Sequence, residues 1–83
     1  MDTLTEVRNI LRDTLNLGDR ADQLRLDSAL LGGLPEFDSM AVVSVVAMME
    51  EQFGITVHDE ELSGEVFATV GSLATFLEMK RAE

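Results

Sequence analysis

Residues 38–54, "DSMAVVSVVAMMEEQFG", decide the fold. Asp38 precedes a run free of proline and glycine, and Gly54 follows it. An aspartate in front of a helix accepts amides of the first turn, and a glycine behind one accepts the left-handed conformation common there. The valines argue weakly for a strand, because β-branched side chains lose rotamers in a helix. The length of the run, ending in Glu50, Glu51 and Gln52, outweighs that preference and predicts a helix. At about 100° per residue, Val42, Val45, Val46, Met49 and Phe53 share one arc, the inner face of a small bundle. Met40, Val43 and Ala47 fall on the other side with Ser44, Glu50 and Glu51.

Toward the N-terminus, Thr3 and Glu6 have the spacing of a capping box. Behind them Leu4, Val7, Ile10, Leu11 and Leu15 recur at helical intervals, and Leu17-Gly18 reads as the end of that helix. Residues 19–37 hold no period. Leu24, Leu26, Leu30, Leu31 and Leu34 can tack the segment onto a core, but Gly32-Gly33 and Pro35 break any long helix, so a long ordered loop with a turn around 28–31 is expected. Beyond Gly54, Ile55 and Val57 read as an extended linker inserted into the core. Asp59, Glu60 and Glu61 open a short helix that Gly64 stops. Thr69 caps a last helix with Val70, Leu73, Phe76 and Leu77 inward and Lys80 and Arg81 near its negative end. The expected fold class is all-α: a small bundle of three main helices plus one short helix, with the long loop between the first and second. Eighty-three residues form a single domain, 1–83.

Sixteen acids against six bases give a formal charge of −10, which repels nucleic acid and anionic membranes and suits a basic protein surface. Without cysteine there is no disulfide or zinc–thiolate site to reinforce the fold. No apolar run has the roughly 18 residues needed to span a bilayer, and the start has no signal-peptide pattern. A cytoplasmic monomer is the expectation.

The dipeptide Asp-Ser occurs twice, at 27–28 and 38–39. Glycines and a proline follow Ser28 closely, whereas the longest helix follows Ser39. With Asp38 as cap, Ser39 is the first helical residue, beside unpaired amides and the positive end of the dipole, where a phosphate ester is stabilised. Catalysis has little support: His58 is the only histidine, and the sequence around Ser39 lacks the nucleophile-elbow glycines. His58 reads as a loop or capping residue. A calcium loop is missing, since the acids of "HDEELSGEVF" are adjacent instead of alternating, and Met48, Met49 and Met79 read as packing residues.

The stretch "FDSMAVVSVVAMMEEQFGITVHDEEL" with "TVGSLATFL" resembles the acyl carrier proteins. That resemblance covers nearly the whole chain. It implies that Ser39 is the attachment point for covalent 4'-phosphopantetheine, with Asp38 preceding it in the motif. It also implies that Met40, Val43 and Ala47 contact partner enzymes and that Glu50 and Glu51 meet their basic surfaces. The partners implied are a phosphopantetheinyl transferase, an acyl-loading synthetase and enzymes that process the thioester-bound cargo; the carrier itself is not an enzyme. Ala41 and Ser44 stand where many fatty acid carriers have acids, and His58 replaces a common proline. The missing acids at Ala41 and Ser44 favour a specialised pathway, polyketide-like or otherwise dedicated, over housekeeping fatty acid synthesis. The alternatives are an aminoacyl, D-alanyl or peptidyl carrier, the last disfavoured by "LPEFDSM", and an unmodified helical adaptor that docks through Met40, Val43 and Ala47.

Overall fold

A computed structural model describes residues 2–35 and 37–82. Three α-helices, α1 (Thr3–Leu15), α2 (Ser39–Phe53) and α3 (Val70–Arg81), are joined by two 3₁₀-helices, Gly18–Gln23 and Asp59–Glu61. Among the described residues there is no strand, and Ala29 and Thr69 form an isolated bridge. The bundle is all-α, as the sequence predicts.

α1 begins one residue earlier than the capping-box reading places it. Asp2 is the cap, and its carboxylate accepts the Thr5 amide at 2.8 Å. That amide holds the Asp2 carboxyl below its ordinary pKa. An anionic acceptor at a helix start gains from the dipole as well as from the hydrogen bond, an advantage Thr3 lacks. Glu6 is thereby released from the box and instead pairs with Arg81 at 2.7 Å. The far end also differs from expectation: Asn16, at φ 55°, ends α1, and Leu17 turns into the core. Gly18 opens the first 3₁₀-helix, which the sequence reading leaves as loop. Buried Ala21 holds it, together with an Arg12–Asp22 ion pair and the Arg8 guanidinium on the Leu24 carbonyl.

The long loop is strapped to the start of α3 by main-chain bonds. Leu30 and Leu31 amides donate to Ala68 and Phe67 carbonyls at 2.9 and 3.1 Å, and Val70 and Gly71 amides donate to Ser28 and Leu26 carbonyls at 2.9 and 2.7 Å. The last two satisfy first-turn amides that a helix cannot satisfy itself. Residues 28–30 are therefore paired with the start of α3, and the chain turns on either side, at 26–27 and at 31–33, so the turn expected around 28–31 is shifted and takes in only Leu31. Neighbouring side chains in an extended stretch point opposite ways, so Leu30 is fully buried while Leu31 is 41% exposed. Leu26, 56% exposed, is likewise outside the core that it was expected to join. Gly71 permits the closeness of the strap, since a Cβ there would lie 2.7 Å from the Leu26 carbonyl oxygen.

The core joins Val7, Ile10 and Leu11 of α1 with Val45, Val46 and Met49 of α2 and Val70, Leu73, Phe76 and Leu77 of α3. Each fully buried aliphatic side chain contributes about 1.5–3 kcal/mol. Phe37 and Phe67 close one end, with ring centroids 6.0 Å apart. Thr69 and Ser72 cap α3 reciprocally, each side chain accepting the other's amide at 3.0 Å. One packing expectation fails here: Met79 is 61% exposed and Lys80 is buried. Position 80 lies two turns on from Leu73 and so falls on the inner face, while position 79 is rotated away from it.

Candidate functional site

The start of α2 is fixed by Asp38, which is extended at φ −115°, ψ −170°. Its Oδ1 accepts the Ala41 amide at 2.9 Å, and its carbonyl accepts the Val42 amide at 3.0 Å. The Ser39 and Met40 amides precede the helical ladder and point the positive end of the dipole outward. Ser39 is exposed. Its hydroxyl is not among the donors or acceptors of the hydrogen bonds between described residues, and so is available for chemistry.

Ser28 is placed differently. It is half-buried, its hydroxyl accepts the Arg25 amide at 2.8 Å, and its carbonyl is held by Val70. The two Asp-Ser pairs thus divide: one serine closes a turn, the other stands free at a helix start.

The outward face of α2 presents Met40 and Val43, 72% and 62% exposed, with Ala47 and Glu51 also exposed. Glu50 is half-buried. Its carboxylate accepts the Val57 amide at 2.9 Å, bracing the chain as it returns after Gly54, whose φ of 66° makes the turn. Ala41 is 6% exposed. No charged residue occurs between Ser39 and Met49.

Beside Ser39 lies a groove of about 320 Å³, walled by Leu31, Val42, Leu62, Ser63, Gly64 and Phe67. Apart from Val42, these residues come from the loop and from the segment after the second 3₁₀-helix. Nothing in their spacing tells of the meeting, because the strap that brings Leu31 to Phe67 is made by backbone atoms. His58 lies outside this wall. It caps the second 3₁₀-helix and lines a separate, polar depression with Lys80 and Arg81, so the structure does not join it to Ser39.

An exposed hydroxyl, nearby unpaired amides and open space favour an attached phosphodiester arm, and the start of α2 offers all three. A family model described as phosphopantetheine attachment site matches residues 5–77, so fold and site define a helical phosphopantetheine-attachment domain. Acyl carrier proteins of Petrotoga mobilis and Campylobacter hominis are 33% and 31% identical to this chain. They align over 90% and 94% of it, and over 82% and 92% of their own lengths. The solution structure of a holo acyl carrier protein from Nitrosomonas europaea, 52% identical, superposes with a TM-score of 0.91 over 100% of both chains. The chain belongs to the acyl carrier protein family, and its prosthetic group is covalent 4'-phosphopantetheine.

Proposed function

We propose that Ser39 carries the phosphopantetheine arm and that the outward face of α2 docks the enzymes that load and process the cargo. When bound, the group supplies a thiol that holds a carboxylic acid as a thioester. The chain's own residues do the placing. Asp38 fixes the first turn, Ser39 supplies the ester oxygen, and the Ser39 and Met40 amides with the helix dipole favour the phosphodiester charge. Met40, Val43 and Ala47 form the apolar strip of the docking face, bordered by Glu51. Glu50 contributes less to that border than the sequence suggests, since its carboxylate braces Val57.

The observation that carries this reading is the exposed, unengaged Ser39 hydroxyl at the start of a capped fifteen-residue helix. A dedicated pathway is favoured by the uncharged first ten residues of the docking helix, from Ser39 to Met48. Partners that recognise it rely on apolar contact near Ser39 more than on charge. Carriage, not catalysis, is the activity.

Intact mass after co-expression with a phosphopantetheinyl transferase tests the assignment. The mass of one arm should be gained by the native chain and by Ser28→Ala, and not by Ser39→Ala. Gain of the arm by Ser39→Ala refutes the site. An unchanged mass with several transferases favours the adaptor reading.

A further inference from the structure

Among the described residues Lys80 is the buried charged one, at 7% exposure, and it lines the polar depression beside His58. Its ammonium meets both carboxylate oxygens of Glu61 at 2.8 and 3.0 Å, and Oε2 of Glu61 also accepts the His58 amide at 2.8 Å. One carboxylate therefore fastens the second 3₁₀-helix to the last turn of α3. That short helix needs the fastening. It has no buried residue of its own, and the extensive helix contacts are those of α1 with α2, α3 and the first 3₁₀-helix. Directly after it come Leu62, Ser63, Gly64 and Phe67, which wall the groove beside Ser39.

Ion pairs between exposed side chains contribute little, but removing one partner of a pair whose other side is buried is destabilising, and here the lysine side is buried. The next residue, Arg81, is committed elsewhere, to Glu6 and to the face of Phe53, 5.2 Å from the ring centroid. Two consecutive cations thus hold different parts of the bundle: Arg81 holds α1 and the end of α2, and Lys80 holds the groove wall.

We propose that the Lys80–Glu61 pair is the clasp that keeps residues 59–64 in place as a wall of the groove, making Lys80 a positioning residue for the cargo attached at Ser39. The use of the groove rests on the reading of Ser39 given above; the clasp does not.

Amide hydrogen exchange on the unmodified full chain tests it. In Glu61→Gln and in Lys80→Met, the hydrogen-bonded amides of the short helix, Glu61 and Leu62, should exchange about tenfold faster or more while α1 keeps its native protection. Lys80→Arg, which retains the charge, should restore native exchange. Native rates at Glu61 and Leu62 in both neutralising variants would overturn the proposal. So would acceleration of α1 equal to that of these two amides, which would make the pair a general stabiliser. If Lys80→Met fails to fold, Glu61→Gln decides, because it preserves side-chain shape. Loading of the native chain at Ser39 is measured separately: its failure removes the carrier assignment, whereas only the exchange pattern of the unmodified chain removes the clasp.

Discussion

Replacing Asp38 by alanine and by asparagine separates its role in folding from its role in recognition. Alanine removes the acceptor for the Ala41 amide, a bond in a partly buried first turn. Loss of such a cap costs about 0.5–2 kcal/mol, and burial of the Ala41 side chain, 6% exposed, places the cost in the upper half of that range. For a domain of this size each kcal/mol shifts the melting temperature by about 4–8 °C, so Asp38→Ala should lower it by roughly 5–15 °C. Asparagine caps as well as aspartate and loses only the charge at the helix start, about 0.3–1 kcal/mol. Its shift should be less than half that of alanine. Thermal melts by circular dichroism, followed by transferase loading at a temperature where both variants are folded, give the two readouts. If the carboxylate itself is recognised, Asp38→Asn loads slowly despite near-native stability. Equal melting of Asp38→Ala and the native chain would refute the capping argument, and equal loss in both variants would show that charge, not the hydrogen bond, supports the helix start.

Gly71→Ala should be destabilising by about 1–3 kcal/mol, because its Cβ would meet the Leu26 carbonyl at 2.7 Å. Gly64→Ala, whose Cβ meets nothing within 4 Å, should be neutral or slightly stabilising; similar urea midpoints for the two would contradict the strap. Lys80, and after it the His58 amide, hold the Glu61 carboxyl below its ordinary pKa of 4.5. The folded state therefore prefers the ionised form, and that contribution is complete above the ordinary value and lost as pH falls through the lowered one. Urea midpoints measured between neutrality and pH 3 should fall less steeply for Glu61→Gln than for the native chain, and parallel acid limbs would exclude the pair as their cause. Met40→Glu and Val43→Glu, at exposed positions, should change stability by no more than about 0.5 kcal/mol while slowing loading. Unchanged loading by every cognate enzyme would remove that strip from the docking face.

The helices were legible wherever local chemistry decides. Asp38, Gly54 and Thr69 stand at the ends that their side chains or backbone freedom define. The inner arc of α2 followed from its rotation alone, although Val42 came to line the groove. The sequence misleads where a competing local choice or a distant partner decides. Asp2 outcompetes Thr3 because a carboxylate caps more strongly. Leu17 buries itself, so the chain folds back at Asn16 and not at Gly18. Leu26 and Leu31 were expected inside because leucines are apolar; main-chain pairing with residues 67–71 turns them out. At the site, the availability of Ser39 and the engagement of Ser28 accord with their different downstream sequences. The engagement of Glu50 with Val57, the groove wall and the burial of Lys80 depend on residues that only the folded chain brings together.

The strap has a practical corollary. Its bonds are made by carbonyls and amides, so the side chains it turns outward at positions 26 and 31 can be exchanged for other sizes and polarities while the scaffold keeps its shape. One of them, Leu31, borders the Ser39 groove. A library randomised at these two positions offers a way to reshape the edge of that groove while the strap's main-chain bonds stay in place.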